Sequence, residues 1–131
     1  MDYLVDTQIL IWSLVSPEKL SASTQTLLKN NRILVSQISL YEIAIKQKIR
    51  KLPELGLPTT ALLKQAEADG FRLLPIKNAH IAAYNDVPLF PEHRDPFDRL
   101  IVAIAVSETI PVISADRNFR LYAPQIHLIE N

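Results

Sequence analysis

The chain has 131 residues, 48% of them apolar, with 14 Lys and Arg against 14 Asp and Glu and no cysteine. The length suits a single domain spanning residues 1–131 of ordinary globular composition, and the missing thiols exclude disulfides, zinc–thiolate sites and cysteine nucleophiles. A net charge of zero removes the basic surplus usual in nucleic-acid binders, so any such role must rest on local patches.

Met1-Asp2-Tyr3 opens without the basic stretch and apolar run of a signal peptide, and no apolar run reaches the roughly 18 residues of a membrane span. A cytoplasmic protein without a membrane partner is expected. Tyr3–Val5 reads as a buried strand that ends abruptly at Asp6-Thr7, where a helix from Gln8 to about Leu14 begins. A short helix from Ser21 or Ser23 to Lys29 and a turn at Asn30-Asn31 lead into a second strand, Ile33–Val35. Ser39-Leu40-Tyr41-Glu42 has the form of a capping box, with Ser at the cap and Glu three residues on. It opens a helix from Leu40 to Lys48. Pro53, Gly56 and Pro58 mark a loop, Thr59 or Thr60 starts a helix closed by Gly70, and Phe71–Pro75 is a third strand. Lys77–Tyr84 is a short helix and Asn85–Arg94 a surface loop.

Asp95-Pro96 is a strong helix start, since Asp caps free N–H groups and Pro fits the first helical position. From Leu100 to Val106 this helix is apolar on every face, the mark of a helix buried on most sides. A fourth strand at Pro111–Ser114, a helical turn near Arg117–Leu121 and a last strand around Ile126–Ile129 complete the chain. Short apolar strands alternating with helices predict an α/β fold of three layers, a parallel sheet with helices on both faces. Ligands then sit at the carboxyl ends of the strands, the edge on which Asp6 and Asp116 fall.

Each acid here has an ordinary reading. Asp6 and Asp116 suit helix caps, Glu42 closes the capping box, and Asp98 stands three residues behind Asp95 on the same side of the first turn. Such placements are favourable by only ~0.3–1 kcal/mol. If Asp6, Glu42, Asp98 and Asp116 converge, two like charges ~4 Å apart repel by about 4 kcal/mol at an effective dielectric near 20. Either some are then protonated or a cation lies among them. An all-oxygen set without Cys or a His cluster favours a hard ion, Mg²⁺ or Mn²⁺, and suits phosphoryl transfer.

The segments Leu4-Val5-Asp6-Thr7 with Leu10-Ile11-Trp12, Ser39-Leu40-Tyr41-Glu42-Ile43-Ala44-Ile45-Lys46, Arg94-Asp95-Pro96-Phe97-Asp98-Arg99-Leu100-Ile101 and Ile113-Ser114-Ala115-Asp116 together resemble the PIN-domain nucleases. The resemblance is in particular to the toxin half of VapC-type toxin–antitoxin pairs. That resemblance implies about five strands in the order 3-2-1-4-5 and metal-dependent endonucleolytic cleavage of RNA. It assigns Asp6, Glu42, Asp98 and Asp116 to the acidic quartet, with Asp6, Asp98 and Asp116 on one or two Mg²⁺ or Mn²⁺ ions. Glu42 would complete the coordination or position the attacking water. Asp95 stays open between helix cap, outer carboxylate and metal contact, while Thr7 and Ser114 either orient water or acids or serve ordinary turn and cap chemistry. A cognate antitoxin that blocks the pocket, and a homodimer, are the implied partners.

His93 is expected to be a solvated loop histidine, His80 and His127 structural, and Trp12 a core residue rather than a base-stacking platform. Lys46, Lys48, Arg50 and Lys51, with Arg94, Arg99, Arg117 and Arg120, are candidates for the RNA backbone, although charges at helix ends are commonly just solvated. Arg99 has the alternative of pairing with a carboxylate. Ile11, Leu14, Leu20 and Leu27 default to core packing, with partner contact as the other option. Two competing functions are a phosphoacceptor (receiver-like) signalling module and a non-catalytic interaction domain. The first would want paired acids after the first strand and a late lysine. The second would want a damaged acidic set.

Overall fold

Short parallel strands with apolar centres are stable only when covered on both faces, and the five here, each of three to five residues, lie between two cores. β1 (Asp2–Val5), β2 (Arg32–Ser36), β3 (Phe71–Leu74), β4 (Val112–Ser114) and β5 (Leu128–Glu130) form one parallel sheet in the order β3-β2-β1-β4-β5. The structure is a computed structural model and describes residues 1–131. Register follows the two-residue period of a strand. Tyr3, Val5, Ile33 and Val35 enter one core, while Leu4 and Leu34 enter the other.

The first core lies under α1 (Thr7–Val15), α2 (Ala22–Asn30), α3 (Gln37–Lys48) and α4 (Thr59–Ala68). The second lies under α5 (Asn78–Tyr84) and α6 (Pro96–Glu108), with Phe119 and Tyr122 from the 3-10 segment Arg117–Tyr122. Residues Leu100–Ala105 of α6 are all buried, as an apolar circumference demands. Gly70, at φ +98, ends α4 in the left-handed region that glycine enters without strain. No helix is long and apolar enough to cross a membrane.

Two expectations need correction. The cap of α3 is Ser36, whose hydroxyl accepts from the Ile38 N–H at 3.1 Å; Ser39 is inside the helix and fully buried, so the Ser39–Glu42 capping box does not form. Strand β2 runs into α3 without a loop, which moves the helix start one turn earlier. The last strand is Leu128–Glu130, because β4 pairs Val112 with Leu128, and Ile126 packs into the second core from the turn before it. Core packing, the default for the apolar residues of the early helices, holds for Ile11 and Leu20 at 2% and 5% exposure, while Leu14 and Leu27 are half-buried against the same core.

Candidate metal centre

The strand order reverses between β1 and β4, where Val5 pairs with Ile113. Asp6 follows the first of these strands and Asp116 lies just past the second. α6 brings its N-terminus to the same edge, and α3 passes beside it. The cleft they enclose has a volume of about 240 Å³ and is lined by Asp6, Glu42, Asp95, Asp98 and Asp116, with Lys46 the one basic residue. The four predicted acids and Asp95 therefore share one cavity.

The bland and functional readings of the acids turn out to be compatible. Asp6 caps α1, with Oδ1 accepting from the Ile9 N–H at 2.8 Å, and its Oδ2 accepts from the Ser114 hydroxyl at 2.5 Å. Asp95 caps α6 through Oδ1, accepting from the Phe97 and Asp98 N–H groups at 2.9 and 3.4 Å. Asp116 caps the 3-10 segment, accepting from the Asn118 N–H at 2.9 Å. A carboxylate has about four acceptor sites, so a cap leaves capacity for a cation.

The two hydroxyls orient this set. Ser114 Oγ donates to Asp6 and accepts from the Asp116 N–H at 2.9 Å, linking the acids after β1 and β4. Thr7 Oγ1 lies 2.8 Å from Glu42 Oε1 and 2.9 Å from Ser39 Oγ. A hydroxyl has a single proton, so when Thr7 donates to the carboxylate it accepts from Ser39. The other oxygen of Glu42 meets Lys46 Nζ at 3.2 Å, one helical turn on. Ser39 thus has a part in the site that the local pattern concealed, since its partner is 32 residues away.

Burial and crowding push Asp6 and Asp98 up. Asp6 rises from 3.8 to about 6, chiefly because it is buried; the Ser114 and Ile9 hydrogen bonds oppose the rise, and the Asp116 and Glu42 charges add to it. Asp98 rises from 3.8 to about 8, first through burial and then through Asp95, Asp6, Glu42 and Asp116. Each cause after burial is a negative neighbour, the signature of carboxylates lacking a counter-charge.

His93 departs from expectation. It is 5% exposed, with Nε2 3.1 Å from Asp98 Oδ2 and Nδ1 2.8 Å from the Tyr122 hydroxyl. Its loop holds two prolines and reads as a surface loop, but the Phe119 and Tyr122 rings flank the imidazole. His93, Asp98 and Asp116 each offer a donor atom within 4.8 Å of the others. Arg99 does not pair with a carboxylate; its Nη2 donates to the His93 carbonyl at 2.6 Å. His80 is fully buried against Glu108 at 2.6 Å, a structural role as expected, whereas the His127 side chain is exposed. Trp12 packs on the first core and also lines the cleft. Of the basic candidates Lys46 alone lines the cleft; Lys48, Arg50, Lys51, Arg94 and Arg117 are exposed, and Arg120 pairs with Glu130 at 2.5 Å.

The PIN domain, as a sequence family, matches residues 3–124. The chain belongs to the PIN-domain family. It is 29% identical over 119 residues to Ribonuclease VapC22 of Mycobacterium tuberculosis (strain ATCC 25618 / H37Rv), covering 89% of this chain and 88% of that protein. Among solved structures it is similar to VapBC2 from Rickettsia felis bound to a DNA fragment from their promoter, with a TM-score of 0.71 at 19% identity over 99% of this chain and 98% of the other. A toxin–antitoxin complex from Klebsiella pneumoniae matches with a TM-score of 0.62 at 17% identity over 97% and 95% of the two chains. These structural likenesses establish the PIN fold, with the 3-2-1-4-5 sheet and flanking helices.

Proposed function

We propose that this PIN-domain protein is a metal-dependent endoribonuclease and the toxin of a toxin–antitoxin pair, hydrolysing phosphodiester bonds in RNA in the cytoplasm. The observation that carries the reading is the cleft with five carboxylates and one lysine. Its donors are all oxygen apart from His93 beside them, which suits Mg²⁺ or Mn²⁺, and the upward push on Asp6 and Asp98 is the strain a cation would relieve. Asp6, Asp98 and Asp116 would hold the ion, with Glu42 completing the set or positioning the attacking water. Such an ion activates water and neutralises charge on the phosphate oxygens.

The chain's own groups do the rest. Thr7 and Ser39 fix the Glu42 carboxylate at the cleft wall, where it can take a proton from water. Ser114 holds Asp6 and the Asp116 backbone in one arrangement. Lys46 is placed to meet a phosphate oxygen while paired with Glu42. A cognate antitoxin is supported by the toxin–antitoxin complex among the structural relatives; its basic side chain would enter the acidic cleft, and homodimerisation belongs to the same reading. The test compares RNA cleavage by wild type and Asp6→Asn in Mn²⁺ or Mg²⁺. The substitution should lower cleavage by more than the roughly 10–100-fold typical of losing a group behind a metal ligand. Two folded proteins that are equally inactive would end the nuclease reading.

A further inference from the structure

His93 has both ring nitrogens engaged and only 5% of its surface exposed. Tyr122, which meets Nδ1, is 1% exposed. The two contacts are not independent, because a neutral imidazole carries one proton. If the phenol donates to Nδ1, the proton is on Nε2 and donates to Asp98 Oδ2. With Asp98 ionised, as a bound cation would leave it, the reverse tautomer would set the Nε2 lone pair against the lone pairs of the carboxylate. Tyr122 decides the direction. Its buried hydroxyl has His93 Nδ1 as its hydrogen-bond partner, so a phenol that accepted there would leave its own proton unpaired. The Tyr122 proton therefore goes to His93. Arg99 donates to the His93 carbonyl at 2.6 Å, tying the loop to α6.

We propose that His93, its ring oriented by Tyr122 and its backbone carbonyl held by Arg99, is a positioning residue that holds the Asp98 carboxylate toward the cleft for a divalent cation. The role rests on the metal reading above. With Nε2 donating, the imidazole has no lone pair for the ion, so His93 acts through Asp98 even though its nitrogen lies among the candidate donors. Partners that orient a ligating carboxylate typically contribute 10–100-fold in metal affinity.

The test uses the full chain with Mn²⁺ as the probe, followed by the electron paramagnetic resonance signal of the free ion. His93→Asn reaches only the Nδ1 position and loses the donor to Asp98, whereas His93→Gln places an amide nitrogen near Nε2 and keeps it. His93→Asn should weaken Mn²⁺ binding by about 10–100-fold, and His93→Gln should recover most of that loss although both variants lose similar metal-free thermal stability. Tyr122→Phe, which keeps the ring packing, should fall between them. Wild-type affinity in folded His93→Asn, or a His93→Gln variant as weak as His93→Asn, would overturn the positioning role and leave the metal reading standing. A directly bonded nitrogen in the pulsed spectrum of the wild-type complex would make His93 a ligand and overturn it equally. A folded wild type that binds no Mn²⁺ would remove both.

Discussion

Replacing Asp6 with Asn removes a charge from the cleft while keeping the shape and the acceptor that caps α1. The folded protein raises this carboxyl from 3.8 to about 6, mainly by burying it. A shift of roughly 2 units at about 1.36 kcal/mol each means that ionised Asp6 costs the metal-free fold about 3 kcal/mol. The sign follows from proton counting. Between 3.8 and about 6 the unfolded chain has released this proton and the folded chain still holds it, so stability falls as pH rises through that window and is level above it.

Asn has no such dependence. It does present an amide to Ser114, which must turn its own proton elsewhere, an offset of about 1 kcal/mol. In EDTA at pH 8, Asp6→Asn should therefore be more stable than wild type by about 2 kcal/mol, or roughly 5–10 °C in Tm for a chain of this size. The gap should close as pH is lowered from 6 toward 4. Mn²⁺ at about 100 times its Kd should stabilise wild type by about 2.7 kcal/mol and the variant by much less, cancelling or reversing the order. Urea denaturation at several pH values, with and without Mn²⁺, measures every arm. A metal-free variant no more stable than wild type at pH 8, or a gap independent of pH, would refute the burial-and-repulsion account.

Other consequences are direct. Ser114→Ala takes the hydroxyl from Asp6 and from the Asp116 N–H, which should reduce stability by about 1–3 kcal/mol in urea. Because the Ser114 bond holds Asp6 down, carboxyl titration followed by ¹³C NMR should also shift Asp6 above 6. With Asp98 pushed to about 8, Mn²⁺ affinity should climb with pH below 8 by about tenfold per unit for each proton displaced, and calorimetry in two buffers should detect the released proton. Ile104→Ala, at a fully buried position of α6 in the second core, should lower stability by about 2–5 kcal/mol while leaving cleavage per folded molecule unchanged.

How much of this was legible in the sequence depended on the range of the interaction. α6 was readable because its determinants are local: the Asp95 cap, Pro96 at the first position and an apolar circumference. The position of Asp6 and Asp116 at a strand-order reversal followed from short apolar strands alternating with helices, with the order itself supplied by family resemblance. The Ser39–Glu42 spacing imitates a capping box, and nothing local marks Ser36 as the true cap. What separates the two serines is Thr7, whose hydroxyl meets Ser39 across the fold. His93 was misplaced for the same reason: a loop with two nearby prolines looks solvated until the Tyr122 and Phe119 rings, more than twenty residues on, close over it.

The caps also bear on whether the fold could neutralise its own cleft. Asp6, Asp95 and Asp116 each stand at a helical N-terminus, and Asp98 lies in the first turn of α6. These four acids therefore sit where the helix dipole favours negative charge, by ~0.3–1 kcal/mol apiece. One close pair of carboxylates outweighs several such contributions, at about 4 kcal/mol for ~4 Å and a dielectric near 20. Asp98 is the decisive case, because it is raised to about 8 despite its first-turn position, with Asp95, Asp6, Glu42 and Asp116 all adding to the rise. Lys46 is committed to Glu42. Near neutral pH the cleft must then either hold back a proton or take in a cation, and a divalent cation is the occupant that would let every carboxylate ionise at once.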